Sequence, residues 1–346
     1  MSDVPITNDS RPKTVVLHQY AGIGDFVFHL PYFRAIAEKS RSGKVSIIAS
    51  PSTFARELVT AEPWVDEVIY YDHHPRRTEK RKGRHEGMFG LWRMAQDLRE
   101  RNFGRIILFS PKFNRGLLAW LSRIPLRLGY GFGFLQRIFL NAPPYIKPYR
   151  GEALCVYNEA TAMAMAHGFC TEPLVPRLRI PEKIKAAMES RFSNMPRPLY
   201  VFAIGTSAPN KQWGARCFGE LAHELIKHGC GVILSGGPGE ESLAAEIMAL
   251  VPEEEHKAIT AFTRGTILES ATLLSIADAC IGNDTGIVNV AAACERPSYV
   301  LIGSRPILNQ DPLLVMIRAK TLTEISVGDV MKTLETSNAP GFDSAG

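Results

Sequence analysis

Short uninterrupted apolar runs alternate with stretches whose apolar residues recur every three or four positions, and the alternation continues along nearly the whole chain. Thr14-Val15-Val16-Leu17 reads as a buried strand, and the turn Ala21-Gly22-Ile23-Gly24 follows it. Leu30, Phe33, Ile36 and Ala37 then recur at helical spacing, with Pro31 in the early part of that helix. Further strands are predicted over 45–49, 68–71 and 105–109. Helices are predicted from 54–58, over 88–101 and over 115–121, and 128–130 is one more short apolar piece. On the 88–101 helix, Leu91, Met94, Ala95 and Leu98 share one side. Strand and helix in strict alternation imply a parallel, doubly wound sheet.

A second cycle starts after the proline-punctuated stretch 173–198. It predicts strands over 199–204 and 231–234, a strand tail at Cys280-Ile281 and a strand over 299–302. The helices fall over 217–228, 240–250 and 267–277, the first with Phe218, Leu221, Ala222 and Leu225 inward. The expected fold class is therefore α/β with two Rossmann-like doubly wound domains. A polar leader, 1–12, precedes an N-terminal domain, 13–180; a C-terminal domain, 181–335, precedes a flexible tail, 336–346. Ligands of open α/β sheets bind beyond the carboxyl ends of the strands. Two such sheets facing each other would form a cleft lined by βα turns from both.

Composition adds limits. The 346 residues are 45% apolar and 22% charged, an ordinary globular balance with room for two cores. No apolar run approaches the ~20 residues that span a bilayer, and the polar leader lacks a signal-peptide apolar region, so the cytoplasm is the expected compartment. Six cysteines without a C-x-x-C pair argue against zinc or a disulfide framework and for buried free thiols. The net charge of +5 is mild but uneven, because 73–85 is a dense cationic run.

Chemistry collects at the strand-end turns. Gly22-Ile23-Gly24-Asp25 sits on the first βα turn, where Asp25 either caps its helix or stands ready as a general base. Gly205-Thr206-Ser207-Ala208-Pro209-Asn210-Lys211 offers hydroxyls, backbone N–H groups and a mobile cation, a set suited to a pyrophosphate. Gly236-Gly237-Pro238-Gly239-Glu240-Glu241 supplies a carboxylate able to bind ribose hydroxyls, from either glutamate. Gly282-Asn283-Asp284-Thr285-Gly286 closes a strand and opens a helix rich in small apolar residues. Its orphan N–H groups and helix dipole favour an anion, although Asx and Thr also cap purely structural helices.

Taken in order, these turns resemble glycosyltransferase family nine, the bacterial heptosyltransferase family. The matching pieces are Gly24-Asp25 with Leu30-Pro31, Lys211-x-Trp213, Gly236-Gly237-Pro238-x-Glu240, and Gly282 to Gly286 with Ala291-Ala292-Ala293. The resemblance implies a GT-B architecture and metal-independent, cofactor-free transfer of heptose from an ADP-activated donor to a lipopolysaccharide core, with inversion. It implies that Asp25 deprotonates the acceptor and that Lys211 neutralises the departing diphosphate. Gly24, Thr206, Ser207, Asp284, Thr285 and Gly286 would surround the donor, and Glu240 would contact the ribose. The chain departs from the pattern at Gln19, where an Arg is common nearby, and at Asn289, where a His is usual.

Under the same resemblance the basic run lies in the acceptor domain. Arg76, Arg77, Lys80, Arg81, Lys82 and Arg84 are then candidate contacts for an anionic lipid-linked glycan, with Lys112, Arg115, Arg123, Arg127 and Arg137 extending the patch. Anionic lipids on the inner face of the inner membrane are an equal attraction. Trp120 and the nearby Phe residues could touch lipid, with core packing the expected use of most of them. Nucleic acid is not expected, since no aromatic platform or helix-turn-helix signature accompanies the charge. Two other readings of the chain are an epimerase or hydrolase of nucleotide sugars on the same scaffold, and a non-catalytic polyanion or membrane-surface binding protein.

Overall fold

Each of the two sheets is built around a strand buried along its whole length, with later strands added on both sides. The computed structural model describes residues 9–75, 80–151, 158–206, 208–304 and 311–342. The chain divides into two compact units, Met1–Leu174 and Val175–Gly346. The division expected after residue 180 therefore falls earlier. The reason lies in the linker's own bonds: Leu178 donates its N–H to the Ala293 carbonyl, and Arg177 pairs with the buried Asp311 at 2.9 Å.

The first unit runs β1 (Thr14–His18), α1 (Ile23–Glu38), β2 (Val45–Ala49), α2 (Ala55–Leu58), β3 (Val65–Tyr70), α3 (Gly87–Glu100), β4 (Arg105–Phe109), α4 (Phe113–Leu121), β5 (Leu126–Gly129), α5 (Phe134–Arg137) and α6 (Asn158–Ala166). Its parallel sheet has the order β3-β2-β1-β4-β5. Val16 at its centre pairs with Ile47 on one side and Ile107 on the other. Helices α3 and α4 cover one face, and Leu91, Met94, Leu98 and Leu118 pack there on Val15, Leu17, Ile106 and Leu108. Burying each such side chain contributes ~1.5–3 kcal/mol. Pro31 stands in the middle of α1 rather than in its early part, and the helix continues past it.

The second unit runs α7 (Glu182–Arg191), β6 (Leu199–Ala203), α8 (Ala215–Lys227), β7 (Gly231–Ser235), α9 (Glu241–Ala249), β8 (Ile259–Phe262), α10 (Ile267–Ile276), β9 (Ala279–Asn283), α11 (Gly286–Ala293), β10 (Ser298–Ile302), β11 (Leu314–Arg318) and α12 (Val327–Thr336). Its sheet has the order β11-β10-β9-β6-β7-β8, again parallel. Phe218, Leu221, Ala222 and Leu225 of α8 are buried as their spacing predicts. The expected flexible tail does not hold for its described part. Ala339 is buried, and the Tyr200 hydroxyl donates to the Pro340 carbonyl at 2.7 Å.

In each sheet the strand order reverses once, between β1 and β4 and between β6 and β9. Turns leaving the carboxyl ends of strands on either side of such a switch point diverge and leave a crevice for ligand. No helix among the described residues is long and apolar enough to cross a membrane.

Candidate functional site

In the second unit the switch point joins the two turns that carry Lys211 and Asp284. Ala203 at the end of β6 pairs with Gly282 of β9. A Cβ on Gly282 would lie 2.5 Å from the Ala203 Cβ, so glycine is what lets the strands close here. One residue on, the fully buried Asn283 ties the turns together. Its Nδ2 donates to the Ile204 carbonyl at 2.9 Å and to Gln212 Oε1 at 3.0 Å, and its Oδ1 accepts the Trp213 N–H at 3.1 Å. Gln212 Nε2 adds a second bond to Ile204. The loop after β6 is thereby held against the start of α11, and Lys211 Nζ donates to Asp284 Oδ2 at 2.9 Å. Their side chains are 30% and 23% exposed, so water reaches the pair and an incoming anion can too.

Thr285 is the N-cap of α11 in extended conformation, but its hydroxyl makes no capping hydrogen bond. The start of α11 carries partial positive charge and lies next to the Lys211–Asp284 pair, a setting that suits an anion. Asn289, the residue that departs from the family pattern, donates from Nδ2 to the Thr285 carbonyl at 3.3 Å and so steadies this turn. Gly286 opens the helix.

The two glutamates of the third turn part ways. Glu240 accepts the Gly237 N–H at 2.7 Å and folds over the turn after β7, with its carboxyl carbon 3.5 Å from where a Cβ on Gly205 would stand. It therefore lies between the turns after β6 and β7. Glu241 instead pairs with Arg264 at 2.6 and 2.9 Å, which holds its carboxyl below the usual range. Thr206 is occupied locally: its Oγ1 accepts the Ala208 N–H at 3.3 Å and donates to the Ala208 carbonyl at 3.1 Å. Ser207 lies outside the described residues.

Asp25 and Gly24 belong to the first unit, in the first turn of α1. Gly24 is buried and Asp25 half-buried. The Asp25 carboxylate folds back over the N-cap, so that a Cβ on Gly22 would stand 2.4 Å from its Oδ2. Beneath it is a buried cluster of rings that sequence reasoning did not single out. His18, at the end of β1, lies 4.7 Å from His29 and 5.5 Å from Phe26, ring centre to ring centre. His29 Nδ1 donates to the Asp25 carbonyl at 2.7 Å. Burial pushes His29 down to about 4, and burial followed by the neighbouring His29 holds His18 well below the usual range. Two neutral imidazoles thus support the turn that carries the carboxylate. The sequence signal was available: His18 and His29 interrupt otherwise apolar positions of a strand and a helix. Gln19 accepts the Ser110 hydroxyl at 2.6 Å, which joins the turns after β1 and β4 across this unit's switch point.

The described ends of the cationic run are tied to the body of the unit. Asp72 and His85 close its neck, Asp72 N–H donating to His85 Nδ1 at 3.1 Å and His85 N–H to the Asp72 carbonyl at 2.8 Å. Arg81 pairs with Asp72 at 2.5 Å, and the Arg84 N–H reaches the same carboxylate at 3.2 Å. Burial works to raise the Asp72 carboxyl, but these donors outweigh it and hold it low. Lys80, Arg81, Lys82 and Arg84 are exposed, whereas Arg76 and Arg77 lie outside the described residues. Two of the expected patch extensions are corrected. Arg115 is buried, its guanidinium donating to the Tyr71 hydroxyl at 3.1 Å and to His73 Nε2 at 2.5 Å. Arg127 bonds the Phe139 and Ile124 carbonyls, both at 2.7 Å. Trp120, Phe113 and Phe134 are exposed rather than in the core.

Two parallel doubly wound sheets, each with polar turns at its switch point, define a two-unit α/β protein of the class that binds nucleotides at strand ends. The sequence profile described as glycosyltransferase family 9 (heptosyltransferase) matches residues 91–317. The chain belongs to that family and is a glycosyltransferase. It is 28% identical over 291 residues to lipopolysaccharide heptosyltransferase 2 of Salmonella typhimurium, a match covering 81% of this chain and 80% of that protein. Among solved structures it resembles the E. coli ADP-heptose lps heptosyltransferase II, with a TM-score of 0.74 and 23% identity over 94% of this chain and 98% of that one. It also resembles a family 9 glycosyl transferase from Veillonella parvula, with a TM-score of 0.78 and 18% identity over 94% and 96%. These likenesses bear out the expected fold and favour transfer over the epimerase, hydrolase and non-catalytic readings.

Proposed function

We propose that the protein transfers heptose from ADP-heptose to a lipopolysaccharide-core acceptor by a single inverting displacement. The observation that carries the reading is the meeting of Lys211, Asp284 and the start of α11 at one switch point, a combination suited to a sugar diphosphate. In the displacement the acceptor oxygen forms a bond to the anomeric carbon while the bond from that carbon to the diphosphate oxygen breaks. ADP leaves with the electron pair, and Asp25 takes the acceptor proton. Lys211, held by Asp284 before the donor arrives, neutralises the charge that develops on the departing diphosphate. Thr206, Ser207, Thr285 and Gly286 line the donor, and Glu240 rather than Glu241 meets the ribose, because Glu241 is engaged by Arg264. The neutral His18–His29 pair keeps the Asp25 turn in place.

The acceptor in this reading is an anionic lipid-linked glycan met at the cytoplasmic face of the inner membrane, with Lys80, Arg81, Lys82 and Arg84 as contacts. The test is purified protein with ADP-heptose and core-truncated lipopolysaccharide, following ADP release and the mass of the product. Asp25→Ala should lower kcat by ~10²–10⁴-fold. Undiminished transfer by that variant would remove Asp25 from the mechanism, and free heptose formed equally fast without acceptor would replace transfer by hydrolysis.

A further inference from the structure

The first unit carries an exposed apolar surface that neither the sheet nor the donor chemistry uses. Phe89 and Trp92 on α3 are 89% and 56% exposed, Phe113 and Trp120 on α4 54% and 52%, and Phe134 on α5 and Ile138 just after it 77% and 55%. These helices form one layer. α3 and α4 share a sheet face, and α4 packs on both α3 and α5. Their inward sides are filled by the core residues, so the exposed rings stand on the layer's outer side. Monomeric proteins rarely leave so many large apolar side chains together in water without a partner.

Charge says which partner. From residue 101 to 151 the sequence holds nine Lys and Arg and not one Asp or Glu. Of these, Lys112, Arg123 and Arg137 are exposed on or beside α4 and α5; on α3 the exposed Arg93 and the preceding Arg84 stand with Glu86 and Glu100, and Arg84 lies 3.7 Å from Asp97. A protein partner would have to match a broad cationic field around an aromatic centre. An anionic bilayer does so without further fitting: aromatic rings enter the boundary between headgroups and acyl chains, and each cation near the surface adds to the attraction.

We propose that the outer side of the α3–α4–α5 layer is a docking surface for a bilayer containing anionic phospholipid, with the aromatic side chains inserted and the cations on headgroup phosphates. The proposal rests on the preceding reading only for the reason such a bilayer is at hand, the acceptor being lipid-linked. It places the insertion on the helix layer, apart from the basic loop.

The test is flotation of the full chain with phosphatidylethanolamine vesicles that contain phosphatidylglycerol, against vesicles of phosphatidylcholine. Binding should require phosphatidylglycerol and weaken with salt. Phe89→Ser and Phe134→Ser should each lower the partition coefficient about tenfold, and circular dichroism should be unchanged because both rings stand in water. Trp92 and Trp120 fluorescence should shift to the blue and be quenched by brominated acyl chains, while the buried Trp213 is not. Absence of binding, binding equal in the serine variants, or a concentration-dependent dimer abolished by Phe89→Ser would overturn the proposal, the last by assigning the face to a second copy. Both serine variants should keep parental transfer to a detergent-dispersed acceptor. Failure of transfer with vesicle binding intact would count against the proposed reaction and leave the docking surface standing.

Discussion

Replacing Gly22 by Ala probes the placement of the Asp25 carboxylate without touching the carboxylate itself. Gly22 has φ −82° and ψ 147°, a conformation that alanine adopts freely, so the substitution brings no backbone strain. Its effect comes from the new Cβ, which would stand 2.4 Å from Asp25 Oδ2 and 3.2 Å from the carboxyl carbon. Comfortable contact begins near ~3.4 Å, so the carboxylate has to withdraw by about 1 Å or rotate away from its resting position. A displacement of about that size in a reacting group costs ~10²-fold in rate. The prediction for Gly22→Ala is therefore a kcat about 10²-fold below the parent, with the KM for ADP-heptose changed far less, because among the expected donor contacts Gly24 alone lies in the first unit. Alanine is also a poorer N-cap than glycine, which should lower stability by about 1 kcal/mol or less and leave the fold intact. Initial rates of ADP release at varied donor and acceptor give the split between kcat and KM, and thermal melting gives the stability. A kcat indistinguishable from the parent, alongside an inactive Asp25→Ala, would show that Gly22 does not set the position of the base.

Lys211→Met should weaken ADP binding about tenfold in calorimetry, the size of one lost charge-assisted contact, whereas Asp284→Asn, which removes Lys211's internal partner, should not weaken it; equal affinities for Lys211→Met and parent would refute the donor assignment. Asn283→Ala leaves the buried Trp213 N–H without its acceptor and should destabilise the second unit by about 2 kcal/mol, read from urea unfolding by Trp213 fluorescence; a loss too small to resolve would mean the clamp is not structural. His29 lies at about 4 in the folded state against 6.5 when unfolded, so below pH 6.5 the unfolded chain takes up the proton first. Its contribution is whole above pH 6.5 and should fall by about 1.4 kcal/mol per pH unit down to pH 4. Urea unfolding between pH 7.5 and 5 should show this slope in the parent and a shallower one in His29→Gln, and identical slopes would refute the burial argument.

The strands that lie inside the sheets were legible because burial on both faces demands continuous apolar runs, as at Val15-Val16-Leu17 and Ile106-Ile107-Leu108-Phe109. β8 and β11 were not, for a physical reason. They are the two edge strands of their sheet, and Thr260, Ala261 and Arg318 leave their patterns mixed; the hydrogen bonds of β7 and β10 hold them in place. α7 buries only Met188 among its ten residues and so lacked an apolar stripe to read. At the site, each turn could be placed after its strand, but no spacing tells which glutamate faces inward. That choice came from Arg264, distant in sequence, which draws Glu241 away.

Sequence alone determined that the chain makes two parallel α/β sheets and that its polar turns fall at the strand ends, because apolar periodicity and turn chemistry are local properties. Tertiary structure decided the strand order. With it came the meeting of Lys211 and Asp284 and the clamp made by Asn283, since those contacts join residues some seventy positions apart that only the β6–β9 pairing brings together. It also decided which cations and rings remain outside. Arg115 and Phe113 are two positions apart on one helix, and the packing of that helix against its neighbours buries the charge and exposes the ring.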